Sequence, residues 1–319
     1  MEERLLGGTG LRVSSLGLGT LTWSRDTDAE EASDQLRDFV DAGGTLVDTA
    51  ASYADGAAEE LIGRLLRTVV PREELVLCTK AGVRRTSGGG VLDASRGALL
   101  TSLDQSLARL GTDHVDLWLV QTPDPRTPLA ETVGALRLAL RSGRARYVGL
   151  SNHSGWQTAR VASLLEPEDA LAAVEVEYSL LQRGVEREVV PAAEHLRAGL
   201  LAWSPLGRGV LTGKYRRSVP ADSRAASAHL AGFVEPHLRP ESAPVVEALI
   251  TAAEGLGALP LEVALAWVLG RPQVSSAIVG ARTARQLRPA LDLSLVLPEE
   301  ITAALDEVSA PFLGYPERR

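Results

Sequence analysis

An aspartate, a tyrosine and a lysine are the residues of this chain whose types and spacing could do proton chemistry. Asp48 ends the apolar run Gly44-Thr-Leu-Val-Asp48, Tyr53 follows five residues later, and Lys80 closes a second run, Leu75-Val-Leu-Cys-Thr-Lys80. Short apolar runs of this kind read as buried strands, so a carboxylate and an ammonium fall at strand ends and a phenol in the loop after one. The Lys80 ammonium could sit between that carboxylate and that phenol. A tyrosine of reference pKa about 10 becomes a usable proton donor near neutrality when a neighbouring cation stabilises the phenolate. Lysine usage adds weight: of 33 basic residues, only Lys80 and Lys214 are lysine. In an arginine-rich chain a retained lysine suggests a site that needs a compact cation of adjustable pKa.

The elements that must position these groups follow from the pattern of the whole chain. Residues 4–14 alternate around a Gly-rich turn and predict an N-terminal β-hairpin. Strands are then expected at 16–20, 44–48, 75–80, 115–121, 146–150, 172–178, 200–203 and 276–279, with helical spacing between them. Asp28 and Glu31 form a capping-box signature before the first helix, and Ser87-Gly-Gly-Gly90 reads as a glycine-rich loop. Eight apolar strands alternating with helices predict a parallel sheet closed as a (β/α)8 TIM barrel, one domain spanning 1–319. Chemistry in such a barrel lies at the C-terminal strand ends, where Asp48, Lys80 and Gln121 fall, and residues 206–240 form a long rim loop after the seventh strand.

Composition narrows the class. The chain of 319 residues is 45% hydrophobic and 23% charged, which is ordinary for a soluble globular protein. No apolar run reaches membrane-spanning length, and the N-terminus lacks the form of a signal peptide, so a cytoplasmic location and no membrane partner are expected. The net charge of −8 argues against nucleic acid as a partner. A single cysteine, Cys78, excludes an internal disulfide and reads as a buried thiol within a strand. Oligomeric state is not readable.

Taken together the motifs resemble the aldo-keto reductases. The likeness is carried by Leu46-Val-Asp-Thr-Ala50 with Tyr53, Lys80, Asp116-Leu-Trp-Leu-Val120, Gly149-Leu-Ser-Asn152, Glu177-Tyr-Ser-Leu-Leu181, residues 204–215 and Gly280-Ala-Arg-Thr283. The resemblance implies a single barrel that binds NADPH across its rim and reduces a small-molecule carbonyl. By the same resemblance Tyr53 would be the general acid, with Lys80 lowering its pKa and Asp48 holding the lysine. Ser151, Asn152 and Glu175 would hold the nicotinamide carboxamide, Trp203 would stack on the ring, and Thr20 would join the cofactor set. Ser204, Pro205, Leu206, Gly207, Arg208 and Gly209 would let backbone N–H groups approach the pyrophosphate, with Lys214 as counter-charge. Arg282 and Gln286 would grip the adenosine 2′-phosphate, which favours NADPH over NADH, and Gly280 would join the cofactor set. Trp23, Tyr53 and Arg84 are the substrate-pocket candidates, with the segment from Arg216 to Phe233 above them.

Three departures from the family pattern bear on chemistry. Gln121 stands where a histidine usually completes a tetrad, and an amide can orient a carbonyl but cannot titrate. Glu175 replaces a glutamine, so it can accept from the carboxamide but cannot donate as a carboxylate. Pro289 and Ala290 replace residues that often hold the adenine. Three functions therefore stand: a carbonyl reductase, a reductase of a conjugated C=C or C=N bond, and an NADPH-binding regulatory protein with weak catalysis. The retained Asp48, Tyr53 and Lys80 favour an enzyme.

Overall fold

Short apolar segments form the strands of a closed parallel barrel in the computed structural model, which describes residues 1–86, 89–221 and 223–311. In chain order the strands are β1 (Leu16–Gly19), β2 (Leu46–Asp48), β3 (Val76–Ala81), β4 (Val115–Val120), β5 (Ala145–Ser151), β6 (Ala173–Glu177), β7 (Gly199–Trp203) and β8 (Val274–Val279). Each pairs in parallel with its sequence neighbours, and β8 closes on β1 through Ala277↔Leu16. Strands wetted on neither face need no polar alternation, and β8 is buried along its whole length. Packing inside the barrel is close: a Cβ on Gly149 would lie 2.3 Å from the Ala173 carbonyl oxygen of the next strand, so only glycine fits there.

Helices α1 (Ala29–Asp41), α2 (Ala57–Thr68), α3 (Arg96–Leu110), α4 (Leu129–Arg141), α5 (Gly155–Ala162), α6 (Val189–Leu196), α7 (Ala243–Leu256), α8 (Pro260–Leu269) and α9 (Ala284–Leu291) surround the barrel. A tenth helix, α10 (Glu299–Val308), was not expected. Only Leu305 of α10 is buried, so its apolar pattern is thin, and its anchorage is polar: Asp306 accepts from Trp267 Nε1 at 3.0 Å and pairs with Arg271. The capping box before α1 forms by half. Asp28 accepts from the Glu30 and Glu31 backbone N–H groups, but the Glu31 carboxylate turns to the Ala284 N–H at 2.7 Å and ties α1 to the start of α9.

The two ends of the barrel differ. The hairpin Glu3–Leu5 with Arg12–Ser14 plugs the end where strands begin, with Leu6 and Val13 buried against Leu46, Leu117, Leu119 and Leu201. The other end is open under the rim segment 206–240, which folds as short helical turns around Gly207–Thr212, Arg224–Ala226 and Ala231–Val234. Gly89 and Gly90 belong to a second hairpin, Val83–Thr86 with Gly89–Leu92, and not to a loop; Ser87 and Gly88 lie outside the described residues. No single described helix is long and apolar enough to cross a membrane.

Candidate active site

At the open end lies a cavity of about 540 Å³. Its floor is built by barrel strands, at or near their C-terminal halves. β2 delivers Asp48, β3 delivers Lys80, and β6 delivers Glu175, all buried, while Tyr53 follows β2 in a short turn and packs half-buried against the core. Lys80 Nζ donates to Asp48 Oδ1 at 2.5 Å and to the Thr49 carbonyl at 3.0 Å, and lies 3.3 Å from Glu175 Oε2. It also stands 5.4 Å from the centre of the Tyr53 ring, so the expected trio does meet. Asp48, Cys78 and Glu175 bring their ligand atoms within 4.8 Å of one another. The cation among them is the Lys80 ammonium.

The electrostatics of this floor correct one expectation. Burial alone would push the Lys80 ammonium down, yet Asp48 and then Glu175 hold it well above its ordinary value. Tyr53 is not brought toward neutrality. Burial raises its phenol first, Lys80 pulls it back, and Asp48 and Glu175 push it up again, for a net rise. One ammonium shared between two carboxylates has little field left for a phenolate. Burial and then Asp48 push Glu175 up to about 8, against the opposite pull of Lys80. The Cys78 thiol is raised by burial and by Asp48, which keeps it a neutral core group.

The wall beside the floor is a hydrogen-bonded chain. Asn152 Nδ2 donates to the Gln121 carbonyl at 2.9 Å and to Ser151 Oγ at 3.1 Å, and its Oδ1 accepts from Trp203 Nε1 at 3.0 Å. Ser52 Oγ donates to Gln121 Oε1 at 3.0 Å, which commits that amide's oxygen and leaves its N–H2 to donate. His153 turns away into the protein, buried, with Nδ1 2.8 Å from the Ser151 carbonyl, and burial holds its pKa down. It does not replace the missing tetrad histidine.

The far end of the cavity is made by loops and carries cations. Ser204, Pro205, Leu206, Arg208, Gly209 and Lys214 line it, with Gly280, Arg282 and Gln286 opposite, and Thr20 lies at the end of β1. Asn152, Ser204 and Arg208 hold left-handed φ angles of 58°, 51° and 57°, a conformation costly for side-chain-bearing residues that persists where the surroundings demand it. Gly209, at φ 96°, has the freedom such a turn needs. The backbone N–H groups of Gly207 and Gly209 are spent on Ser204 and Leu206 carbonyls at 2.9 Å, contrary to the expectation that both face an anion. Side chains carry the positive charge instead. Gly207 itself is buried behind the lining residues.

Two substrate candidates are not at the cavity. Trp23 is wholly buried and donates from Nε1 to Gln35 Oε1 at 3.2 Å, because the turn after β1 folds it under α1. Arg84 is exposed on the second hairpin, where strand alternation directs it to solvent while Val83 packs at the hairpin base. Of the segment from Arg216 to Phe233, expected at the pocket, Arg224 and Phe233 line the cavity. Arg224 donates to the Gly280 carbonyl at 2.9 Å, and burial, then Arg282 against the upward pull of Tyr215, holds its guanidinium below its ordinary value. Phe233 stacks over Trp203 with ring centres 6.3 Å apart, and the Arg208 guanidinium lies 4.2 Å over the Phe233 ring while pairing with Glu177. The sequence pointed to the segment but not to these two residues within it, an arginine and a phenylalanine in a loop without periodicity.

Comparison with known proteins decides the family. The model of the aldo/keto reductase family matches residues 15–310. The chain belongs to the aldo/keto reductase family. Among curated relatives of this reductase, an uncharacterized oxidoreductase of Bacillus subtilis (strain 168) is 35% identical over 97% of this chain and 96% of its own length. A probable voltage-gated potassium channel subunit beta of Oryza sativa subsp. japonica is 34% identical over 100% of this chain and 98% of its own. An L-glyceraldehyde 3-phosphate reductase of Escherichia coli (strain K12) is 36% identical over 90% and 86%. The protein is an oxidoreductase of a family that uses NAD(P)H, with a fold suited to a small-molecule substrate.

Proposed function

We propose that this oxidoreductase uses NADPH to reduce the carbonyl of a small aldehyde or ketone, a sugar or a secondary-metabolite intermediate. The observation that carries the reading is one continuous cavity. It joins an acid–base floor of Asp48, Tyr53 and Lys80 to a far end lined by Lys214, Arg224 and Arg282. That donor set fits the group. Two guanidiniums and an ammonium at one end suit pyrophosphate and a 2′-phosphate, and the second phosphate is what separates NADPH from NADH. Trp203 supplies an aromatic face beside the floor.

The reduced dinucleotide, when bound, supplies the hydride that a carbonyl carbon accepts. Tyr53 is protonated at neutral pH, the form a general acid needs, and gives its proton to the carbonyl oxygen as charge develops there. Lys80 faces the phenolate that remains. Gln121, with its own oxygen tied to Ser52, donates from its amide to the same substrate oxygen and so orients it. Phe233 stacks on Trp203 and the Arg208 guanidinium lies over the Phe233 ring, all three lining the cavity.

Gln121 specifically favours a second reading, reduction of a conjugated C=C or C=N bond, since it cannot relay protons. NADPH consumption against aldehydes, ketones, enones and imines separates the two, with glyceraldehyde 3-phosphate in the panel because one relative is named for reducing it. Turnover cut by roughly a hundred- to ten-thousand-fold in Tyr53→Phe is the expected result. Tight NADPH binding without turnover on any class would leave a cofactor-binding regulatory role; one relative is named as a probable potassium channel subunit and not as a reductase.

A further inference from the structure

The floor of the cavity holds one carboxylate more than its cation can balance. Lys80 Nζ spends its close contacts on Asp48 Oδ1 and the Thr49 carbonyl, and Glu175 Oε2, 3.3 Å away, is buried with no hydrogen-bond partner. A buried carboxylate left in that state costs free energy unless it is neutral or finds a charge. Glu175 lines the cavity, so a charge on a ligand bound there acts on it through space. Its neighbours are few. Asp48 faces it from β2, Cys78 and Lys80 from β3, and Tyr53 from the turn after β2. The strands beside it contribute uncharged partners in register, Ser151 on β5 and Leu201 on β7.

We propose that Glu175 makes the choice between the oxidised and the reduced cofactor depend on pH. This rests on the NADPH reading above and on the direction it implies. Cations at the far end take the phosphates, which leaves the nicotinamide at the floor. The oxidised nicotinamide ring carries a positive charge and the reduced ring none. With Glu175 neutral, Asp48 and Lys80 cancel, and the floor treats the two rings alike. With Glu175 ionised the floor carries one net negative charge, which attracts the oxidised ring alone. Burial and Asp48 push Glu175 up to about 8, so the change falls within an accessible range. By linkage, the oxidised form expels the Glu175 proton on binding and the reduced form does not.

The test titrates the protein with NADP+ and NADPH separately at about pH 6 and about pH 9.5, reading tryptophan fluorescence or heat. Both ligands carry the same phosphates, so phosphate ionisation cancels in the ratio of their Kd values. In the wild type the ratio should shift roughly tenfold toward NADP+ at the higher pH; in Glu175→Gln it should not move. Calorimetry of the wild type near pH 7 in buffers of different ionisation heat gives a readout that needs no variant: NADP+ should release protons and NADPH should not. A pH-independent ratio in the wild type, an equal shift in Glu175→Gln, or equal proton release by both ligands would overturn the inference while leaving the cofactor reading intact. Failure of either dinucleotide to bind at any pH would sink both.

Discussion

The two ends of the cavity are built by opposite means. Its floor is assembled from barrel strands, buried, with Asp48, Lys80 and Glu175 held in close contact by the barrel. Its far end is assembled from loops, with positive-φ residues and arginines reaching in from the rim segment. Rigid strands can hold charges at distances where small shifts would cost several kcal/mol, and loops cannot. Loops can wrap an extended ligand, which strands cannot. Proton chemistry therefore belongs to the floor and anion binding to the far end. Two acids on one strand show the same contrast. Glu177 meets Arg208 and His237 and is held below the ordinary carboxylate range despite burial, whereas Glu175, two residues earlier, shares one lysine with Asp48 and is driven up.

This division can be broken by substitution. The largest effect is expected for Lys80→Met, which leaves two facing acids without a cation. Stability should fall by about 3–5 kcal/mol in denaturant melts, with activity lost entirely. Tyr53→Phe should cut kcat by roughly a hundred- to ten-thousand-fold while melting temperature and NADPH affinity stay put; a matching loss of affinity would show that the floor also binds. Glu175→Gln sharpens the comparison through stability. An acid whose folded pKa is raised above its unfolded value stabilises the fold fully below the unfolded pKa, and that contribution disappears as pH rises through about 8. The variant should therefore match the wild type near pH 5 and exceed it by roughly 2–4 kcal/mol near pH 9 in urea titrations. The smallest effect is expected at the far end. Arg224→Met should weaken NADPH binding by about 1.5–3 kcal/mol and NADH binding less, with kcat nearly unchanged. Equal loss for both dinucleotides would assign Arg224 to the pyrophosphate instead of the 2′-phosphate.

Much of the architecture was legible before any coordinates. All eight strands and the alternation with helices follow from short apolar runs separated by helical spacing, and Asp48 and Lys80 at strand ends follow from the same reading. Less legible were features without local periodicity. Helix α10 buries a single leucine, and the hairpin at 83–92 interrupts a barrel repeat with glycines that elsewhere mark loops. Trp23 looked like a pocket residue because it follows β1, yet its indole found Gln35 in the core. Nothing near Trp23 in sequence announces that partner's role.

What the sequence determined by itself was the set of parts: a parallel barrel, a phenol, a lysine and a carboxylate on neighbouring strands, and a glycine-bearing loop after the seventh. These depend on residue type and on contacts between elements close in the chain. Tertiary structure alone decided that Glu175 of β6 would face Lys80 of β3 across the barrel, and that Arg224 would reach the Gly280 carbonyl. Those meetings join residues far apart in sequence. Closure of β8 onto β1 and the phase of inward-facing side chains bring them together, and no local pattern encodes either.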